Sequence, residues 1–251
     1  MTMITRDIEI VDGLPVLYIK SLSAIACSDL HLGYEGVMAD RGTFLPKMNL
    51  KKVKETVSKA LEETHAERII IDGDIKNEFS DVHVEEFNEF YDFANFLRKE
   101  HGLRHITLIK GNHDNFIERL RESLKFETYT EEGLLGDYLF FHGDALPQGK
   151  SGKTLIMGHV HPAIAIYNKL GVKEKFKAFL YGKMADGREL IVLPAMNYFA
   201  EGVSVNLEDV GVMAPVFDTM ADVDMMTAYC IGEGESLNFG RVDRLRKIAF
   251  Q

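Results

Sequence analysis

Cysteine is scarce in this chain: Cys27 and Cys230 are the two it has, and they lie far apart. That argues against a disulfide framework and a thiolate metal cluster, and it points to a reducing cytoplasm as the natural setting. Basic charge is short as well, with 29 Lys and Arg against 39 Asp and Glu, for a formal net charge of -10. A protein that coats long nucleic acid usually carries the opposite balance, because its cations must displace counterions. Tight non-specific binding to duplex DNA is therefore disfavoured, although a local basic groove can sit on an acidic protein. Candidates for such a patch are Lys47, Lys51, Lys52 and Lys54, with Arg119, Arg121 and Lys125 as a second group; solvated helix faces are the favoured reading of both. No apolar run approaches the ~20 residues needed to span a bilayer. Met1 to Arg6 lacks the apolar core of a signal peptide, so a soluble protein is expected. Repeats, low-complexity stretches and Pro/Ser-rich linkers are missing too. What remains is ordinary globular composition: 251 residues, 46% hydrophobic and 27% charged, enough for one large α/β domain or two small ones.

Apolar periodicity supplies the organisation. Ile8–Val11 and Val16–Ile19 flank Asp12-Gly13, a hairpin signal. Ala24–Cys27 reads as a short strand. Asn49 can cap a helix running to about Thr64, with Val53, Val57, Ala60 and Leu61 on one face. Arg68–Ile71 is a β-branched run suited to a strand buried on both faces. A second helix is predicted over roughly Asp81 to Glu100, with Phe87, Phe90, Ala94 and Leu97 as its core side, followed by a strand at Ile106–Ile109. This alternation implies parallel strands with right-handed crossovers, whose sites gather beyond the carboxyl ends. After a short helix over 115–124 the chain turns β-rich: Tyr138–Phe141, Thr154–Met157, Ala163–Tyr167, Phe176–Tyr181 and Leu190–Leu193 suggest a second sheet packed on the first. From Glu201 onward the pattern is illegible.

Five polar segments follow these apolar runs: Ser28-Asp-Leu-His31, Asp72-Gly-Asp-Ile-Lys-Asn77, Gly111-Asn-His-Asp114, Phe141-His-Gly-Asp144 and Gly158-His-Val-His161. Singly, each is weak: Asp-x-His occurs in turns, Gly-Asp ends many strands, and Asn112 could cap a helix that Asp114 favours through its dipole. Together they concentrate the Asp, Asn and His residues that paired hydrolytic metal ions require. Asp29 and His31 are two apart, so at an extended strand end both can point to one side, and His159 and His161 likewise. Asp74 has two oxygens and can bridge two cations, while Gly73 removes a side chain where backbone must come close to something. Such ligands suit Mn²⁺, Fe²⁺ or Zn²⁺. His65, His83, His101 and His105 lie without partners in or beside helices and read as surface or packing residues.

In this order the segments resemble the signature of the calcineurin-like metallophosphoesterases. The Ser-Asp-Leu-His-Leu-Gly opening and compact size are similar to the small prokaryotic branch that includes DNA-ligase-associated members. The resemblance covers about Ala24 to Asn197 and implies one domain over 1–251, with 201–251 of unclear role. It further implies a four-layer αββα sandwich of two mixed sheets, with a dinuclear metal site at the carboxyl-end edge of the strands. One ion would take Asp29, His31 and His161, the other Asn112, His142 and His159, and Asp74 would bridge them. His113 would be the non-ligand acid, and a hydroxide bridging the ions would attack. The cofactors are then two divalent ions, with Mn²⁺ the first choice. The partner is a phosphoester, with nucleotides or short nucleic acid favoured. A phosphomonoesterase and a non-catalytic scaffold of the same fold are the alternatives. A homo-oligomer is compatible with the sequence, though no heptad or apolar edge demands one. The protein-phosphatase branch carries an Asp where this chain has Asn77, and an Arg where it has Glu78. An Asn carbonyl can still accept from His113 and fix its tautomer, but it cannot stabilise the imidazolium as a carboxylate would, which argues against that branch. Gly149-Lys150-Ser151 hints at a phosphate loop, but the required first Gly is missing.

Overall fold

The structure is a computed structural model and describes residues 1–78, 84–115, 125–149 and 151–249. His83, Arg119, Arg121, Lys150, the start of the second expected helix and nearly all of the expected helix over 115–124 lie outside the described residues.

Two mixed sheets form the centre. The first runs in chain order through β1 (Thr2–Met3), β2 (Ile8–Ile10), β3 (Leu17–Ile19), β4 (Ala24–Cys27), β5 (Arg68–Asp72), β6 (His105–Ile109) and β7 (Glu127–Tyr129). Strands β1 to β4 pair antiparallel, β2 and β3 through the expected hairpin, whereas β4, β5, β6 and β7 are parallel. The parallel strands read as unbroken apolar runs because both of their faces are covered. The second sheet holds β8 (Glu132–Leu135), β9 (Tyr138–Phe141), β10 (Thr154–Met157), β11 (Pro162–Tyr167), β12 (Lys173–Lys183), β13 (Glu189–Val192), β14 (Val203–Ser204), β15 (Thr227–Ile231) and β16 (Ser236–Arg241). Within it β9, β10 and β13 are parallel and most other pairs antiparallel.

Three buried clusters define the layers. Ile8, Ala26, Ile70 and Ile109 from the first sheet meet Phe140, Ile156, Phe179 and Ile191 from the second in a core between the sheets. The outer face of the first sheet is covered by α2 (Asn49–Thr64) and α3 (Val84–Asn95), which follow α1 (Tyr34–Asp40) and bury Val53, Val57, Phe90 and Phe93. The outer face of the second is covered by the segment after residue 203, including α4 (Pro215–Thr219) and α5 (Val242–Ile248), through Val205, Val216, Met226 and Leu245. This is the αββα sandwich. The tail that is illegible in sequence supplies its fourth layer and three of its strands.

Two expectations about the helices are corrected. Phe87 is 39% exposed, with its ring against Tyr91, because the core face of α3 centres on Phe90, Phe93 and Ala94. Asn49 is not a cap: Met48 holds that position, and Glu35 Oε1 accepts from the backbone N–H groups of Met48 and Asn49, both at 2.8 Å. The capping oxygen comes from another helix, and the Asn49 side chain is released for long-range contacts.

Candidate metal centre

All five polar segments converge at the carboxyl ends of parallel strands. β4 delivers Asp29 and His31, β5 delivers Asp74, and β6 delivers Asn112 and His113. His142 follows β9, while His159 and His161 lie between β10 and β11. The sheets are stitched together here, since Met196 N–H donates to Ser28 O at 2.9 Å and Asn197 N–H to Asp29 O at 3.0 Å.

The backbone differs from the extended strand ends expected. Asp29, His31, Asp74, His159 and His161 have φ of 55°, 45°, 49°, 68° and 49°, in the left-handed region that L-residues seldom occupy. Leu30 turns into the core between Asp29 and His31, so the two-residue spacing still presents both side chains to one side. The strained turns interlock: Asp29 N–H donates to Gly73 O at 3.1 Å and His31 N–H to Asp74 O at 2.9 Å. Glycines are spacers. A Cβ on Gly73 would collide with the His142 ring, and one on Gly111 with the Asp74 carboxylate.

Two ligand-competent clusters face one another. In the first, Asp29 Oδ1 lies 3.1 Å from His161 Nε2, which lies 3.4 Å from His31 Nε2. In the second, His142 Nε2 lies 3.2 Å from Asp74 Oδ2, 3.3 Å from His159 Nδ1 and 3.1 Å from Asn112 Oδ1. Asp74 belongs to the second cluster and, with His31 and His113, to a third group, so it stands between the two. All seven expected ligands are thus brought together.

The outer contacts fit a cation site. His142 Nδ1 lies 3.2 Å from Asp72 O and His159 Nε2 3.2 Å from Met213 O. Donation to a carbonyl fixes each tautomer and leaves the inward nitrogen with its lone pair, as histidine ligands require. His31 Nδ1 and both Asp72 carboxylate oxygens are buried without a hydrogen-bond partner among the described residues. Electrostatics are strongly perturbed, a mark of functional sites. Burial opposes ionisation of Asp29, but His161, His142 and His31 outweigh it and hold its carboxyl well below the usual range. Burial, then the charge of His161, lowers His31 to about 4. Burial would lower His142 too, yet its hydrogen bond to Asp74 and the charges of Asp74 and Asp29 push it up to about 10. Burial drives the Asp72 carboxyl far upward.

His113 is half-buried beside this centre. Its backbone N–H donates to Asp74 Oδ1 at 2.9 Å, and its Nε2 lies 3.8 Å from Asp74 Oδ2. The role expected of Asn77 is corrected: His113 Nδ1 meets the main-chain carbonyl of Asn77, at 2.5 Å, rather than the side-chain amide. Glu86 of α3 holds that turn by accepting from the N–H groups of Asn77, at 2.8 Å, and Glu78, at 2.5 Å.

Several supporting residues were missed from sequence. Asn49 Nδ2 donates to Leu30 O at 2.9 Å and His31 O at 3.1 Å, while its Oδ1 accepts from Tyr198 N–H at 2.9 Å. Asp114 Oδ1 accepts from Ile75 N–H and its Oδ2 from Gly111 N–H, which staples the second motif to the third. Asn197 Oδ1 accepts from the N–H groups of Phe199 and Ala200. Asp114 lay inside a recognised segment; for Asn49 and Asn197 no local signal exists.

One solved structure supports this architecture. Nuclease MPE from Pseudomonas putida shares it at 19% identity and TM-score 0.61, over 90% of this chain and 93% of that one. Yfce, a phosphoesterase from E. coli, aligns at 14% identity and TM-score 0.41, over 87% of this chain and 98% of its own. No curated protein matches in sequence. Residues 22–181, well over half of the chain and spanning every polar segment, match the calcineurin-like phosphoesterase family. The chain therefore belongs to the calcineurin-like phosphoesterase family, and it is a metal-dependent hydrolase of phosphoester bonds.

Proposed function

We propose that this protein is a two-metal phosphodiesterase acting on nucleotides or short nucleic acid, with Asp29, His31 and His161 holding one ion, Asn112, His142 and His159 the other, and Asp74 shared. The observation that carries the reading is the facing pair of clusters with Asp74 between them. Bound there, two divalent cations would polarise the phosphoryl oxygens and make a water acidic enough to attack near neutral pH. The donor set of imidazole nitrogens, carboxylates and one amide oxygen, without thiolate, favours Mn²⁺ over softer ions.

The chain's own residues supply orientation and a proton. Both the neutral and the charged forms of His113 keep the Nδ1–H that donates to Asn77 O, so this bond holds the ring while Nε2 carries the exchangeable proton. That nitrogen faces the Asp74 side of the centre, where it can protonate a leaving oxygen. Beside Asn112 and His142 opens a cavity of about 610 Å³, also lined by Lys110, Asn115 and Gln148, which has room for the second ester substituent that a diester carries on its phosphorus and a monoester lacks. That room favours a diester over the phosphomonoesterase reading. We take 1–251 as one catalytic unit, since Met213 of the C-terminal segment contacts His159. The two buried free thiols support the reading that it resides in a reducing cytoplasm; no helix among the described residues is long and apolar enough to cross a membrane.

The test is hydrolysis of bis(p-nitrophenyl) phosphate and p-nitrophenyl phosphate with added Mn²⁺. Wild type should prefer the diester, and Asp74→Ala should abolish turnover. Turnover surviving in Asp74→Ala would reject the site, and preference for the monoester would reject the substrate class.

A further inference from the structure

The four lysines that were candidates for a basic patch pair with carboxylates, as solvated helix faces would: Lys47 with Glu85, Lys51 and Lys52 with Glu55, and Lys54 with Asp92. Intramolecular pairing is what an acidic chain should produce, because carboxylates are in excess. Three other lysines escape it. Lys173, Lys175 and Lys177 occupy alternate positions of β12, so they share one face, spaced by ~6.6 Å along the strand. None of the three makes an ion pair with a carboxylate among the described residues. By the same alternation this is the face that carries Phe179 into the core between the sheets, so the lysines look toward the seam where the polar segments meet.

There they line a cavity of about 390 Å³ together with Tyr198, Ala200 and Glu201. Lys177 is its fixed floor: its Nζ donates to Ala195 O at 2.8 Å and Asn197 O at 2.5 Å. Lys175 donates to Gly202 O, and Lys173 is exposed at the rim. Tyr198 is half exposed, with its ring edge-on to Phe199 at 5.1 Å; Phe199 stacks on Tyr34 at 5.7 Å and 19°. Aligned ammonium groups beside an open aromatic ring are the elements with which proteins hold single-stranded nucleic acid, by phosphate contacts and base stacking.

The cavity's position links it to the centre. Its wall is the 195–202 loop, whose other side contacts the first cluster: Asn197 N–H donates to Asp29 O, and Val203 N–H to His161 O. Tyr198 N–H reaches Asn49, which holds His31 O. The larger cavity lies instead against Asn112 and His142, of the second cluster. A phosphodiester straddling the two clusters would thus have room for chain on both sides.

We propose that Lys173, Lys175, Lys177 and Tyr198 form a subsite for a non-scissile phosphate and its neighbouring base on a single-stranded oligonucleotide. It rests on the phosphodiesterase reading for its role in turnover, but not for binding. The test is Lys173→Ala/Lys175→Gln, with Tyr198→Ala as a second variant; Lys177, which is anchored in the fold, is left in place. Binding of a fluorescein-labelled oligothymidylate is measured in EDTA across a salt series, and kcat/KM on that oligonucleotide is compared with kcat/KM on bis(p-nitrophenyl) phosphate. The double variant should weaken binding about tenfold and flatten the salt slope by about 0.7, the share of one neutralised phosphate on a single strand. The oligonucleotide-to-small-diester ratio should fall by a similar factor. Tyr198→Ala should weaken binding while leaving the salt slope in place. Wild-type affinity and slope in the double variant, or an equal loss on both substrates, would overturn the subsite. Should wild type hydrolyse neither substrate while binding still requires the lysines, the phosphodiesterase reading fails and the subsite stands.

Discussion

Replacing Asn49 with Ala should loosen the first cluster from a position that touches no expected ligand side chain. The fully buried amide makes three hydrogen bonds, to Leu30 O, to His31 O and from Tyr198 N–H, and so ties the left-handed Asp29–His31 turn to the 195–202 loop. Two acceptors keep other partners after truncation, because Asn197 Nδ2 reaches Leu30 O at 3.4 Å and Tyr34 N–H reaches His31 O at 3.2 Å. The full penalty for an orphaned buried group therefore falls only on Tyr198 N–H, and about 1 kcal/mol per lost bond gives a total near 3 kcal/mol. For a chain of this size that corresponds to roughly 6–12 °C in Tm. The bonds to Glu35 come from backbone N–H groups and survive, so the helix start is not the cause. Metal affinity should fall about 10–100-fold, as when other supports of ligand geometry are removed. Denaturant unfolding gives the stability, and competition with a chelating indicator gives the affinity. Asn49→Asp should be no better, since it keeps the acceptor but sets a charge against two carbonyls. A stability change below about 0.5 kcal/mol, the size of an ordinary surface substitution, would refute the tethering argument.

Three further outcomes are expected. Gly73→Ala combines a φ of 81° with a collision against the His142 ring; the backbone strain alone costs about 1–2 kcal/mol, and equilibrium dialysis should show weakened metal binding, with wild-type binding contradicting the spacer role. Asn77→Ala keeps the main-chain carbonyl that faces His113, so kcat should fall less than about tenfold, whereas His113→Ala should lose about 10²–10⁴-fold; equal losses would show that the Asn77 side chain matters after all. Glu89, half-buried and close to Glu35 and Glu85, has its carboxyl raised by desolvation from 4.5 to about 7 although Gly33 N–H donates to it. A raised folded value means the folded state retains a proton that the unfolded chain has released, so stability is lost as pH rises through that window. With allowance for partial exposure this amounts to about 1–2 kcal/mol. Glu89→Gln should be more stable than wild type by that amount at pH 8 and equal to it at pH 4.5, as read by denaturant midpoints; a variant less stable at pH 8 would contradict the assignment.

What the sequence made legible follows from local physics. Continuous β-branched runs such as Arg68–Ile71 announce strands covered on both faces, and a site beyond their carboxyl ends needs nothing more than their order. Gly73 could be read as a close approach, although not that His142 was what approached. Long-range partners were illegible. Asn49 sits where a helix starts and carries a capping side chain, yet Glu35 does the capping and Asn49 reaches across the fold. The Asn77 side chain invited a role that its backbone carries instead. The left-handed turns at Asp29, His31, Asp74, His159 and His161 have no signature, since these residues are held there by hydrogen bonds from other segments. Strand β12 extends to Lys173 because pairing with β11 continues past the apolar stretch, and its lysines hid the strand in a polar pattern. The fourth layer escaped notice because α4 and α5 have only 5 and 7 residues, too few for helical periodicity to emerge.

Anomalous diffraction at the manganese edge, from crystals grown with Mn²⁺, tests the central claim most directly. The account predicts two peaks about 3.5–4 Å apart, one bounded by Asp29, His31 and His161, the other by Asn112, His142 and His159, with Asp74 reaching both. A single peak, or a pair that Asp74 does not join, would contradict it.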